Sequence, residues 1–333
     1  MAGKKHILPH RVAAGLLCAC LLAACLYGLP REALAEDSAG GGMPTEPEFP
    51  PTGEYSHRGA DSCIPCHQES MPLSAMAIFN TPHAARDPAA PFGRLQCETC
   101  HGPGKDHARS QRGGGDVGPA VVYGRHAATP APEQNAVCLE CHLSHGRLGW
   151  FGSMHEAQAV PCAACHRIHR DKDPVFDALA PQEACFGCHE KRRADTWRSS
   201  NHPLRFGSMA CSSCHDPHNG NNAALLQEAS VNETCYTCHA EKRGPFLWEH
   251  APASEDCTLC HRAHGSDHPA MLVKRPPLLC QQCHSPAGHP SVAYTPEEAD
   301  NDFNNRFMLA RACLNCHSQV HGSNHPSGST LHR

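Results

Sequence analysis

The 333-residue chain carries 23 Cys and 28 His but only 18 aromatic side chains (10 Phe, 5 Tyr and 3 Trp), and its mean hydropathy is −0.47. A protein-only core of one or two domains would want more large apolar residues than this, so something other than side chains must fill the interior. The 29 Pro and 27 Gly argue against long helices and a regular sheet, and the acidic formal charge of −5 weighs against a nucleic-acid partner, which needs a basic face.

Residues 1–35 read as a signal peptide. Lys4, Lys5 and Arg11 form a basic start, Val12 to Leu26 is apolar, Pro30 breaks the helix, and Ala33-Leu34-Ala35 offers small residues for cleavage. Leu22-Ala23-Ala24-Cys25 is a rival, lipobox-like reading that would leave Cys25 as an acylated first residue. Cys18 and Cys20, used here as small apolar residues, favour the cut after Ala35. Removing this segment takes away Lys4, Lys5, Arg11, Arg31 and Glu32, and the net charge moves from −5 to −8. Residues 36–54 are rich in Gly and Pro without apolar periodicity and read as a flexible leader. Beyond residue 35 no apolar run approaches the roughly 18 to 20 residues of a membrane helix.

All 20 remaining cysteines fall in ten Cys-x-x-Cys-His units. In chain order these are Cys63, Cys66 and His67; Cys97, Cys100 and His101; Cys138, Cys141 and His142; Cys162, Cys165 and His166; Cys185, Cys188 and His189; Cys211, Cys214 and His215; Cys235, Cys238 and His239; Cys257, Cys260 and His261; Cys280, Cys283 and His284; and Cys313, Cys316 and His317. Chance would give about 0.1 such pentapeptides at this Cys and His content. The motif is that of covalent c-type haem: two thiols three positions apart reach the vinyl groups on one porphyrin edge, and the following His ligates iron from one face. Zinc would pair the units into four-ligand sites and would not require His after every second Cys. A thioredoxin-type redox motif would occur once, in a βαβ setting. Ten covalent haem c groups are therefore expected.

Successive first cysteines are 34, 41, 24, 23, 26, 24, 22, 23 and 33 residues apart. Without its first 35 residues the chain has 298, about 30 per motif, too few for any unit to bury its own core. The macrocycles themselves must be the core, packed close together within a loop-rich backbone of short α-helices with little or no β-sheet.

Whether such haems carry electrons or transform a small molecule depends on the sixth iron ligand. Sixteen His lie outside the signal region and the motifs. His83, His155, His202 and His250 precede a motif by 7 to 14 residues, and His169, His218 and His264 follow one in Cys-His-x-x-His. His107, His289 and His321 follow slightly farther on. Three residues span at most about 11 Å, too little to carry a second imidazole past the ring edge to the opposite face, so His169, His218 and His264 must serve a neighbouring haem. These ten complete a bis-His set, with low potentials as the consequence. His57, His126, His145, His268, His325 and His332 read as surface or supporting residues, with His145 and His325 in reserve. Met is the other possible sixth ligand, but the seven Met of the mature chain keep no fixed offset from the motifs. Trp150, Trp197 and Trp248 read as haem-packing residues rather than electron relays. Lys191-Arg192-Arg193 reads as a partner for haem propionates rather than a docking patch.

With these motifs in view, the chain resembles the MtrA, PioA and DmsE family of decahaem c-type cytochromes. Matching segments are MAIF (76–79), CHAEKRGPFLWEHAP (238–252), LCQQCH (279–284) and CHSQVHGSNHPSG (316–328). The resemblance covers about residues 55–333 and implies an elongated ten-haem array of two pentahaem halves, 55–200 and 201–333, threaded into an outer-membrane β-barrel porin. It further implies a periplasmic location, exchange with periplasmic electron-carrier cytochromes, and discharge to an extracellular multihaem cytochrome, reductase or metal oxide, or the reverse flow from ferrous iron. Two other functions share much of this composition: a multihaem reductase with one open haem site, and a soluble periplasmic electron store.

Overall fold

The computed structural model describes residues 51–70, 75–144, 146–177, 182–285 and 313–332. Over these residues the backbone is a succession of short helical turns joined by loops. The α-helices are Cys97–His101, Lys105–Arg112, Ala131–His142, Met154–Ala157, Glu183–Phe186, Glu190–Asp195, Val231–Tyr236 and Ala251–Glu255, and the other turns are 3-10. Among the described residues there is no strand, only isolated bridges such as Ser200 to Ser266 and His261 to Leu272. Proline keeps the turns short. It opens Pro82–Ala84, Pro91–Gly93, Pro174–Phe176, Pro203–Phe206 and Pro269–Met271, where its fixed φ suits a first helical position and its missing N–H prevents extension backwards.

Each motif is itself one helical turn. The amides of His166, His189, His239, His261, His284 and His317 all donate to the carbonyl of the first Cys of their motif at 2.9 Å. Positions i, i+3 and i+4 of a helical turn share a face, so both thiols and the imidazole point to the same side.

Buried apolar side chains are few: Ala60, Ile78, Val121, Val137, Trp150 and Phe186. The described residues belong to one unit, and the expected signal peptide and most of the expected leader lie outside them. Contacts cross the boundary expected at residues 200 and 201, including the two main-chain hydrogen bonds exchanged by Ser200 and Ser266 at 2.9 and 2.8 Å.

Buried side-chain amides do what an apolar core would otherwise do. Asn135 and Asn232 sit three residues before Cys138 and Cys235, and both are buried. Asn135 Oδ1 accepts from the Cys162 amide at 2.7 Å while its Nδ2 donates to the Val160 carbonyl at 3.1 Å. Asn232 repeats the arrangement with the Cys257 amide at 2.8 Å and the Ser254 carbonyl at 3.1 Å. Gln182, three residues before Cys185, donates likewise to the Leu204 carbonyl. Each amide thus ties the approach to one motif to the helix of the motif before it. Asn232→Ala takes away the side-chain partner of the Cys257 amide and the Ser254 carbonyl and is expected to cost about 1 kcal/mol, read as a lower guanidinium midpoint by circular dichroism; an unchanged midpoint would show that the tie is not structural.

Candidate functional site

Nine of the ten motif imidazoles face a second imidazole across a narrow range of separations. His67 faces His107 at 6.4 Å between ring centroids, His101 faces His169 at 6.1 Å, His142 faces His83 at 6.0 Å, and His166 faces His218 at 6.1 Å. His189 faces His155 at 6.4 Å, His215 faces His264 at 6.0 Å, and His239 faces His202 at 6.4 Å. His261 faces His321 at 6.2 Å and His284 faces His250 at 6.1 Å. The angle between the rings runs from 8° to 67° over the same pairs. A separation that holds while the tilt varies is set by something on the axis between the rings, not by ring-on-ring contact. Two imidazoles in line on one ion, with metal–nitrogen bonds of about 2.0–2.1 Å, place their centroids roughly 6.3 Å apart.

In many of these rings the other nitrogen already has a hydrogen-bond partner. Nδ1 donates to the carbonyl of Val121 from His101 (3.0 Å), Val117 from His107 (2.7 Å), Pro217 from His155 (3.1 Å) and Ala263 from His202 (3.1 Å). It donates to Ala224 from His215 (2.8 Å), Val320 from His250 (2.8 Å), Ala270 from His261 (2.8 Å) and Thr330 from His317 (2.7 Å). His166 donates instead to a carboxylate, Asp173 Oδ2, at 2.7 Å. Fixing the proton on Nδ1 leaves the Nε2 lone pair free for a metal. Burial pushes the imidazoles of His83, His101, His169, His264 and His321 down, and that of His218 down to about 4, so these rings are neutral.

The pairing repeats every two motifs. A histidine preceding an even-numbered motif (His83, His155, His202, His250) faces the imidazole of the odd-numbered motif that follows. A histidine following an even-numbered motif (His169, His218, His264, His321) faces the imidazole of the previous even-numbered motif. His107 follows the second motif and faces the first. None of His169, His218 and His264 faces the imidazole of the motif immediately before it. The two classes interlock, because the carbonyls that accept from His155, His202 and His250 belong to Pro217, Ala263 and Val320, the residues just before His218, His264 and His321. The segment then docks through Ser266 on Ser200 and Ser323 on Trp248. Gly265, between His264 and Ser266, has φ +126° and would place a Cβ 2.2 Å from the Asp195 carbonyl, so only glycine allows this approach.

The thiols follow the same alternation. The first cysteines lie beside one another in pairs, Cys63 with Cys97, Cys138 with Cys162, Cys185 with Cys211, Cys235 with Cys257, and Cys280 with Cys313. The twenty motif cysteines form no disulfides with one another, and no cluster of three or more His, Cys, Asp or Glu among the described residues has the geometry of a metal site. Neither structural zinc nor inter-motif disulfides fits this arrangement. A single cavity of about 5050 Å³ runs past every motif, lined by all ten motif imidazoles, their nine facing partners and every motif cysteine except Cys316. Paired neutral imidazoles, thiols in CxxCH turns and a continuous cavity are the donor set and the space that covalent haem c requires.

His289 lies outside the described residues, as does His145. His317 stands 4.3 Å from His332, well inside the separation of the other nine pairs. His268 Nδ1 is buried without a hydrogen-bond partner, and His325 bonds the Ser327 hydroxyl at 2.9 Å. Trp150 is buried with its ring 6.4 Å from His218, whereas Trp197 is exposed beneath the Arg205 guanidinium and Trp248 donates to the His325 carbonyl at 3.0 Å. Arg192 and Arg193 pair with Asp195 at 3.1 Å and Glu183 at 3.3 Å, which gives them protein carboxylates as partners. Sequence reasoning missed Asp173 and the amides Asn135, Gln182 and Asn232. Aligning the motifs on their first Cys would have found the amides, which stand at the third position before the third, fifth and seventh motifs.

Among proteins of known family, residues 202–244 and 250–289 each match the doubled CXXCH motif, and residues 97–180 match the cytochrome c-type protein NrfB-like family. Each doubled unit begins at or just before a histidine that faces the second motif inside it, His202 with His239 and His250 with His284. The chain is 48% identical over 284 residues to the multiheme cytochrome MtrA of Shewanella baltica (strain OS185), covering 84% of this chain and 83% of that one. It is 23% identical over 139 residues to cytochrome c-type protein NrfB of Escherichia coli O6:H1, covering 36% of this chain and 72% of the relative. The NrfB of Haemophilus influenzae is 24% identical over 155 residues, 33% of this chain and 67% of that protein. With its CxxCH turns, its facing imidazoles and a relative of this identity along most of its length, the chain belongs to the MtrA family of multihaem c-type cytochromes, electron-transfer proteins that hold haem c covalently.

Proposed function

We propose that this chain is an exported ten-haem electron conduit that crosses the outer membrane inside a β-barrel porin. The observation that carries the reading is the run of nine facing imidazole pairs along one cavity. Its 5050 Å³ amounts to about 505 Å³ per motif, inside the roughly 300–1,000 Å³ of a single cofactor pocket. The twenty motif cysteines form the thioethers, the ten motif histidines ligate from one face, and His83, His107, His155, His169, His202, His218, His250, His264 and His321 ligate from the other. His289 completes the set of ten. Haem held between two imidazoles exchanges single electrons and offers a substrate no open position, which favours a carrier over a reductase.

Segments 55–200 and 201–333 are the two pentahaem halves of the array, joined where His218 from the second reaches His166 of the first. Ten planar groups in file, each roughly a nanometre across, outreach a bilayer of about 40–45 Å. No helix among the described residues is long and apolar enough to cross a membrane, and irregular backbone facing lipid would leave its polar groups unsatisfied. A sleeve is required, wider than the 8-stranded barrels that side chains alone fill. Periplasmic cytochromes meet one end, and an extracellular multihaem cytochrome, reductase or metal meets the other. Bis-imidazole ligation serves flow in either direction.

Reconstituted with its barrel in liposomes, the haem-loaded chain is expected to let an enclosed reductant reduce an external acceptor that cannot cross the bilayer. In the complex, much of residues 55–333 should resist protease while 36–54 remain cleavable. Equal electron transfer from liposomes containing the barrel alone would overturn the proposal.

A further inference from the structure

Main-chain carbonyls are the usual acceptors for the imidazole Nδ1–H groups, and His166 departs from this. Its Nδ1–H lies 2.7 Å from Oδ2 of Asp173, whose side chain is only 13% exposed. Asp173 is held rigidly. Its Oδ1 accepts from the amides of Arg167 at 3.2 Å and Val175 at 3.3 Å, and it caps the turn Pro174–Phe176. Other carboxylates stand farther from ring nitrogens, Asp216 at 3.7 Å from His218 Nδ1 and Glu241 at 3.9 Å from His239 Nδ1. Phe176 packs 6.1 Å from the His166 ring and buried Trp150 packs 6.4 Å from its partner His218, and the Asp173 carboxylate, only 13% exposed, is less screened than a charge at the open surface.

We infer that Asp173 is a tuning residue that sets the haem of Cys162 and Cys165 to a more negative potential than sites whose motif imidazole bonds a neutral carbonyl. The inference rests on the reading that His166 and His218 hold that iron. Reduction adds one electron and takes iron from ferric to ferrous. A full negative charge hydrogen-bonded to the ligand makes the imidazole more electron-rich and opposes that gain, and a carbonyl dipole opposes it less. Arg147 acts on His218 through space in the opposite sense, without the direct bond to the motif imidazole that Asp173 makes. The consequence is an energetic step inside the array, at the point where the segments before and after residue 200 share a ligand pair.

The test is a spectroelectrochemical titration of the full haem-loaded chain, wild type against Asp173→Asn, with EPR of the oxidised forms. Asn still offers an oxygen to the Arg167 and Val175 amides but carries no charge. One haem in ten is expected to become easier to reduce by about tenfold or more, 59 mV per tenfold for one electron, and to shift its low-spin EPR signal while the rest stay in place. If Asp173→Asn fails to take up a full haem complement, Asp173→Ser, which retains a capping oxygen, repeats the measurement. His166→Met separates the two levels of the reading. Loss of one bis-imidazole signal in His166→Met, with the Asp173→Asn titration superimposed on wild type, would overturn the tuning role alone. Retention of every signal in His166→Met would overturn both the ligand assignment and the inference built on it.

Discussion

His218→Met is expected to remove the bis-imidazole signature from a single haem, the one attached at Cys162 and Cys165, and to leave the haem at Cys211 and Cys214 unchanged. His218 lies three residues beyond His215, yet its ring faces His166 at 6.1 Å, and the partner of His215 is His264 at 6.0 Å. Three residues reach about 11 Å at most and cannot carry a second imidazole around the porphyrin edge. Exchange of His for Met also raises the potential of the affected site. Near-infrared magnetic circular dichroism and EPR give the count of bis-imidazole haems. Combining variants identifies which haem is altered, since changes at the two ligands of one iron do not add. His166→Met with His218→Met is expected to lose one bis-imidazole haem, and His215→Met with His218→Met is expected to lose two. The opposite pattern would place His218 on its own motif's haem and refute the chain-reach limit.

A chain that has not received haem is expected to be unfolded over residues 55–333. Its buried apolar side chains are Ala60, Ile78, Val121, Val137, Trp150 and Phe186 among the described residues, ranged around a cavity of about 5050 Å³. Six such side chains do not offset the ordering of so many residues at about 1–2 kcal/mol of backbone entropy each. Substituting the motif cysteines by serine, or withholding haem attachment, is expected to abolish protease resistance. By X-ray scattering it should raise the radius of gyration toward the roughly 60 Å of an unfolded chain of this length. A cooperative unfolding transition in the haem-free chain would show that protein contacts alone hold the fold. The effect should far exceed that of Asn232→Ala, which removes one tie and leaves the haem core in place.

The doubled unit explains how both outcomes arise from one design. Within residues 202–244, His202 and His239 face each other inside the unit, while His218 is delivered to the preceding unit and His264 arrives from the next. Each unit therefore completes one of its own sites and depends on a neighbour for the other. This makes the array cooperative and gives no segment of about 30 residues an independent fold.

The haem-attachment chemistry and the loop-rich, short-helix architecture were legible in the sequence because they are local. A CxxCH pentapeptide makes one helical turn wherever it occurs, and its spacing limits how much protein surrounds each unit. The offsets of the remaining histidines from the motifs picked out the nine that face a motif imidazole at 6.0 to 6.4 Å, though not His332, which stands 4.3 Å from His317, and the three-residue spacing excluded His169, His218 and His264 from their own motifs. Which imidazole meets which was not legible, because the period of two motifs follows from the path of the chain around the cavity. Nor were the Nδ1 acceptors, since a main-chain carbonyl is the same group in Val121, Ala224 or Thr330 and leaves no mark in residue identity. Asp173 looked like one more solvated acid until the turn at Pro174 carried it back to His166. The sequence by itself determined the cofactor chemistry, through covalent spacing along the chain; only the tertiary structure decided the pairing of ligands and the charge beside each one, because those depend on distances between residues far apart in the chain.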